Sequence, residues 1–122
     1  MNKKKVGVGI IFLVLIGTSI LYSGTRFYGQ GTVTGMLIIE NGGTIRREAD
    51  IPEGSNVLDL MTVCGIPFEG QGGFVTSING ISQDEAANKY WIYYINGEYA
   101  PVGASEYIVQ DGDEILWKLE SF

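Results

Sequence analysis

Three Asn-Gly steps, at Asn41-Gly42, Asn79-Gly80 and Asn96-Gly97, each close a run of apolar, β-branched or aromatic residues. This punctuation constrains the chain more than any other feature. An Asn-Gly step is the commonest two-residue hairpin connection, because both of its positions call for positive φ. A chain that goes extended, reverses at once and goes extended again builds antiparallel sheet. The remaining glycines, part of a total of 18, also fall between apolar runs and follow no collagen-like period.

The runs between these turns give the elements. Thr32 to Glu40 reads as a strand, Asn41-Gly42-Gly43 as a hairpin turn, and Thr44 to Asp50 as the returning strand, ended by Pro52-Glu53-Gly54. Ser55 is the expected N-cap of a helix, with Asp59 in its first turn. Val57, Leu58, Met61 and Cys64 recur at helical spacing as far as Gly65. Gly70-Gln71-Gly72-Gly73 reads as a loop. It lacks the strand before and the helix after that a phosphate cradle requires. Phe74 to Ile78, Tyr90 to Ile95, Glu106 to Val109 and Glu114 to Leu119 read as strands, with Asp111-Gly112-Asp113 as a turn. A hairpin, one helix across a face and further strands make an α+β plan, in the order of a β-grasp-like mixed sheet packed on one helix.

A different kind of segment comes first. Lys3-Lys4-Lys5 precedes an uncharged, largely apolar run of 17 residues from Val6 to Tyr22. Basic first and apolar second is the layout of both a signal peptide and an uncleaved transmembrane anchor, and 17 residues is at the lower edge for a span. Small residues suited to cleavage are sparse in Thr18 to Gly24, while Tyr22, Phe27 and Tyr28 suit a membrane interface. The expected organisation is a signal or anchor helix over 1–22, a linker over 23–31 and one folded domain over 32–122. The lysines stay inside, so the expected location is the cell membrane, crossed once through residues 6–22, with the C-terminal domain outside. Cleavage would make the domain secreted.

Charge and chemistry narrow the function. From Ser23 onward five basic residues (Arg26, Arg46, Arg47, Lys89, Lys118) face fourteen acidic ones, a net charge of −9. Nucleic acid is thereby disfavoured as a partner, because phosphates need a basic face. The chain has one cysteine, Cys64, and no histidine. An internal disulfide, a Cys/His zinc cluster, a four-cysteine iron–sulfur site and a Ser-His-Asp triad are all excluded. Cys64 reads as a small hydrophobe on the helix, with no cation nearby in sequence to activate it. The carboxylates Asp84-Glu85 and Asp111, Asp113, Glu114 read as solvated turn residues rather than metal or acid/base groups. The chain is expected to be non-catalytic, with no resident metal and no required cofactor.

The unusual feature is aromatic. Tyr90-Trp91-Ile92-Tyr93-Tyr94 places four rings on one strand, with Tyr90, Ile92 and Tyr94 on one face and Trp91, Tyr93 and Ile95 on the other. Two readings stand. Both faces are covered by the fold, or one presents an amphipathic platform to a ligand or another protein.

Several blocks, at Gly73-Phe74-Val75-Thr76-Ser77-Ile78-Asn79-Gly80-Ile81, Tyr90-Trp91-Ile92-Tyr93-Tyr94-Ile95-Asn96-Gly97, Gly103-Ala104-Ser105-Glu106-Tyr107 and Gly112-Asp113-Glu114-Ile115, resemble the C-terminal domain of the transcobalamin and intrinsic factor family. That domain also occurs alone in bacterial surface proteins, as the DUF4430 domain. The resemblance covers about Thr32 to Phe122. It implies a β-grasp domain that binds cobalamin or a related corrinoid without catalysis. It also implies a ligand-binding set: Phe74 and Val75, then Trp91 and Tyr93, then Tyr99, Ala100 and Pro101. In the family's carriers a helical domain covers the ligand's other side. Nothing in this sequence corresponds to it, so the implied site is a half-site for uptake, completed by a transporter component or a second ligand-binding chain. The alternative is a cell-surface interaction module that holds a transporter subunit or wall protein through its aromatic strand.

Overall fold

A computed structural model describes residues 31–122. The expected signal or anchor helix, and all of the linker except Gly31, lie outside the described residues. What is described is a mixed α+β arrangement of two sheets and one α-helix.

The chain begins with a hairpin of β1 (Thr32–Glu40) and β2 (Thr44–Pro52), paired antiparallel from Thr32↔Pro52 to Glu40↔Thr44. Its connection is the expected turn over Asn41-Gly42-Gly43, though without positive φ at two adjacent positions. Three residues lie between Glu40 and Thr44, and only Gly42 takes positive φ, at 103°. Longer hairpin loops need the left-handed region at one position, and glycine takes it here. At the other two steps both residues have positive φ, 54° and 79° at Asn79-Gly80 and 52° and 89° at Asn96-Gly97, as a type I′ turn requires.

Helix α1 (Val57–Val63) follows. Its N-cap is Asn56, not the expected Ser55. Asn56 Oδ1 accepts from the Asp59 N–H at 2.8 Å, and Asp59 Oδ2 accepts from the Asn56 N–H at 2.9 Å, a reciprocal capping box. The Ser55 hydroxyl donates instead to the Pro52 carbonyl at 2.7 Å, closing the preceding turn. The helix buries Val57, Leu60 and Met61. Leu60 sits over Gly35 of β1, where a Cβ would lie 3.2 Å from each Leu60 methyl and 3.4 Å from Val109 Cγ1. The missing side chain lets the helix approach the sheet.

Further along come β3 (Phe68–Gln71), β4 (Phe74–Ile78), β5 (Ile81–Ser82), a 3-10 turn at Glu85–Ala87, β6 (Lys89–Ile95), β7 (Glu98–Tyr99) and β8 (Glu114–Ser121). β2, β1, β8, β6 and β7 form one sheet in that order, with β1 and β8 parallel and the other pairs antiparallel. β3, β4 and β5 form a second, smaller one. Two expectations change here. The stretch expected as a loop over 70–73 is half strand: Gly70 and Gln71 end β3, and only Gly72-Gly73 turn. Glu106 to Val109 is not a strand. Its amides are engaged elsewhere, Glu106 and Tyr107 with the Gly103 carbonyl and Val109 with the Ser55 carbonyl, leaving a single bridge between Asn56 and Ile108.

The inner face of the large sheet contributes Val33, Leu37, Ile39, Ile51, Trp91, Tyr93, Ile115 and Trp117 to the core. α1 supplies Val57, Leu60 and Met61, and the small sheet Val75 and Ile78. Two substitutions test this packing by urea denaturation of the full chain in mild detergent. Leu60→Ala is expected to lower the unfolding free energy by about 2–5 kcal/mol, through lost burial and the void left over Gly35. Asn56→Ala is expected to lower it by about 1 kcal/mol, through loss of the cap.

Candidate functional site

On β6, Trp91 and Tyr93 are buried on the inner face, while Tyr90, Ile92 and Tyr94 are half-buried on the outer one. Tyr93 lies opposite Trp117 of β8, with ring centroids 4.8 Å apart. Their polar tips are tied down. Trp91 Nε1–H donates to the Ile81 carbonyl at 2.9 Å, and the Tyr93 hydroxyl to the Val102 carbonyl at 2.6 Å. Each bond fixes a ring and joins β6 to a neighbouring segment, the first to β5 and the second to the loop after β7.

Beside these rings is a cavity of about 750 Å³, bounded by β4, β6 and the segment over 99–103. All seven residues that the resemblance implied line this one cavity. Val75, Trp91 and Tyr93 are buried in its wall, and Ala100 is half-buried. Phe74 and Tyr99 stand at its rim, 77% and 62% exposed, and Pro101 is exposed beside them. The Ala100 N–H donates to the Tyr93 carbonyl at 3.2 Å, so the segment after β7 continues along β6. Tyr99 also stacks on Tyr94, 4.9 Å between centroids. None of the lining side chains carries a charge.

Sequence reasoning missed one wall residue of consequence. Trp117 lines the cavity and is 2% exposed. The alternation of Ile115, Trp117 and Leu119 put it on one face of the last strand, but nothing local said that this strand lies against β6. The ring platform also differs from its simplest form. β6 lines the cavity from both faces, with Trp91 and Tyr93 from the inner one and Tyr90 and Ile92 from the outer one.

Four titratable groups among the described residues are shifted upward by their surroundings. Burial, with the Glu106 carboxylate adding to it, pushes the Tyr93 phenol up to about 12. Burial, with the hydrogen bond to Asp113 second, pushes Tyr107 up to about 12. The hydrogen bond from Tyr94 to the Glu120 carboxylate, helped by burial, raises Tyr94 too. Cys64 is the C-cap of α1, half-buried, and desolvation lifts its thiol to about 12 against a smaller opposing effect of Arg47. It carries essentially no thiolate at neutral pH. Among the carboxylates expected to be solvated, Asp113 is a correction. It is 5% exposed and accepts from Asn96 Nδ2 at 2.8 Å, the Tyr107 hydroxyl at 2.6 Å and the Gln110 N–H at 2.8 Å. Its turn folds inward because these three donors satisfy the charge. No group of three or more His, Cys, Asp or Glu side chains among the described residues is placed to hold a metal ion.

A family model described as a domain of unknown function, DUF4430, matches residues 54–121. No curated protein matches the chain. Among solved structures, a Ruminococcus gnavus protein suggested to bind metal is similar at 18% identity with a TM-score of 0.60, over 75% of this chain and 97% of that one. Haptocorrin in complex with Cbi is similar at 19% identity with a TM-score of 0.61, over 84% of this chain. The match spans 27% of haptocorrin's own length. At these identities the likeness is one of fold.

The tyrosines set the alkaline limit of the fold. Tyr93 and Tyr107 ionise near 12 when folded and near 10 when unfolded, so the stability they confer is complete below about pH 10 and is lost as pH rises through about 12. Urea midpoints measured alongside tyrosinate absorbance are expected to stay level on this account below pH 10 and to fall above it. Tyr93→Phe is expected to flatten that fall, at a cost of about 1 kcal/mol for the lost bond to Val102.

Proposed function

Because the chain belongs to the DUF4430 family and shares the fold of part of haptocorrin, we propose that residues 32–122 form a β-grasp-like module that binds cobalamin or a related corrinoid. The module is non-catalytic and works outside the cytoplasmic membrane, as one half of a site for uptake. The sheet order, with parallel β1 and β8 at its centre and a single α-helix packed against β1, supports the β-grasp reading.

The observation that carries the ligand is the cavity. Seven residues spread from 74 to 101 meet around one apolar space of about 750 Å³, within the range of small-molecule sites. Rings and aliphatic groups there offer apolar area to a macrocycle. Haptocorrin's complex with Cbi supports cobinamide as the probe. A lining without charged side chains and with no histidine supports a binding rather than a catalytic role. The exposed rings of Phe74 and Tyr99 leave apolar surface at the rim for a second chain, a transporter component or another ligand-binding protein, to complete the enclosure. The location outside the membrane rests on Lys3-Lys4-Lys5 and the apolar run after them.

Titration of the full chain in mild detergent with cobinamide, followed by tryptophan quenching and by heat, tests the reading. Saturable binding is expected. Phe74→Ala and Tyr99→Ala are expected to weaken it by about 5–10-fold each, the worth of one aromatic contact of about 1–1.5 kcal/mol, with the thermal midpoint nearly unchanged because both rings are exposed. Absence of saturable binding at millimolar cobinamide sinks the corrinoid reading and favours a protein partner at the same rim.

A further inference from the structure

The large sheet, in the order β2-β1-β8-β6-β7, ends on one side at β2. The pairing decides which main-chain groups of β2 face outward. The Met36 N–H donates to the Asp113 carbonyl, and the Thr34 carbonyl accepts from the Gly112 N–H. The even-numbered residues of β1 therefore point their main-chain groups toward β8, and the odd-numbered ones toward β2. Across the antiparallel ladder, Ile45, Arg47, Ala49 and Ile51 then point toward β1, while Thr44, Arg46, Glu48 and Asp50 point out to the edge. All four outward residues are exposed. Among the described residues, the one hydrogen bond to their N–H and C=O groups comes from Arg47 Nη1, which donates to the Arg46 carbonyl at 3.3 Å from an exposed side chain.

An open edge invites pairing, and bulges, short length or a mid-strand proline ordinarily blunt it. β2 has none of these. It runs for nine residues, pairs with β1 without a shift of register, and keeps its one proline for the last position. Charge can blunt an edge too, but only against a partner of like sign. Here both signs are present. Arg46 and Arg47, half of the four basic residues from Thr32 onward, are followed by Glu48 and Asp50. Cations first and anions after them is an order that complements itself when the strand is reversed.

Register sharpens the match. With two copies antiparallel and centred on Arg47, Arg46 lies opposite Glu48 on both sides of the axis and Thr44 lies opposite Asp50. Every outward residue then meets another outward residue, and opposite charges face each other. The register centred on Glu48 sets two carboxylates together and brings Pro52, which has no N–H, opposite Thr44. The register centred on Arg46 sets two guanidiniums together. In the favoured register only Arg47 meets its like, on the other face of the sheet, where it is exposed and free to turn aside.

We infer that β2 is an interface at which a second copy of this chain adds antiparallel, in the register centred on Arg47, to make one sheet across two domains. The contact is narrow, so the association is weak and reversible. The cavity lies beside β6 and the segment after β7, at the opposite side of the sheet. Pairing at β2 therefore neither needs the proposed ligand nor blocks it.

The test uses the full chain with Cys64→Ala, in mild detergent with micelles in excess, so that an introduced thiol is the only one present. In this register Arg47 of each copy forms a non-hydrogen-bonded pair, with Cα atoms about 4.5 Å apart, within disulfide range. Arg47→Cys is expected to give a disulfide-linked dimer on mild oxidation. Ala49→Cys, about 14 Å from its own copy, is not. In sedimentation, Arg46→Glu and Glu48→Arg are each expected to weaken self-association about tenfold, and an equal mixture of the two to restore it, because the exchanged charges complement each other. Both positions are exposed, so both variants are expected to fold. Hydrogen exchange at the amides of Thr44, Arg46, Glu48 and Asp50 is expected to slow as concentration rises, while Ile45, Arg47 and Ala49, already facing β1, change little. A monomer at millimolar concentration overturns the inference. So does self-association that Arg46→Glu leaves unchanged, a mixture that restores nothing, or equal linking through Arg47→Cys and Ala49→Cys. Cobinamide titration reads the proposed function separately, and its failure leaves this interface standing.

Discussion

The buried carboxylate of Asp113 holds together parts of the chain that no local interaction would join. Its side chain accepts from Asn96 in the β6–β7 turn, from Tyr107 in the following segment and from the Gln110 amide. Its main-chain carbonyl accepts from Met36 at 2.9 Å, beside the first pair of the parallel β1–β8 ladder. Asn96 completes the link by accepting from the Glu114 N–H and donating its own N–H to the Glu114 carbonyl. A charge this deep is tolerable only when its oxygens are satisfied, and removal of one donor would leave it short. Through these bonds the start of the last strand, the first strand and the turn that opens into the cavity rim are fixed by one residue.

What could be read from the sequence follows from how local each cause is. β1 and β4 occupy the residues that their alternation marked, and Asn79-Gly80 and Asn96-Gly97 adopt the backbone that their chemistry asks for. Here the signal and its cause lie within a few residues. The N-cap was harder, because Ser55 and Asn56 are both good caps. The choice was made by Asp59, which can reach back to the Asn56 N–H, and by Pro52, which claims the Ser55 hydroxyl. Glu106 to Val109 has the apolar content of a strand, yet Gly103 and Ser55 take its amides. Ser55 is some fifty positions away, beyond any window of local pattern. The Asp111-Gly112-Asp113 turn was plain as a turn, while the inward direction of one of its two carboxylates depended on Asn96 and Tyr107.

The cavity divides in the same way. Its seven expected residues came from a resemblance between blocks of sequence, not from periodicity, and no spacing rule would have brought Phe74 to Pro101. Trp117 escaped because its place in the wall comes from the pairing of β6 with β8, a long-range register that alternation alone does not fix. The aromatic strand invited a search for a platform on the outer face. Residues of both faces of β6 line the cavity, so the arrangement around the strand belonged to the covering elements and not to the strand.

An apolar space of this size beside a small core needs walls that stay apart, and hydrogen bonds rather than packing hold the movable wall. The segment after β7 is tied to β6 twice, by the Ala100 N–H to the Tyr93 carbonyl and by the Tyr93 hydroxyl to the Val102 carbonyl. Further on, Ala104 donates to the Gly73 carbonyl and accepts from the Val57 N–H at the start of α1. The rim is thereby fastened to β6, to the β3–β4 turn and to the helix, while its side chains stay exposed. Directional bonds fix a wall without filling the space behind it, which apolar packing cannot do. A loop already fastened at these points has little conformational entropy left to lose, which is what the proposed binding would require of it.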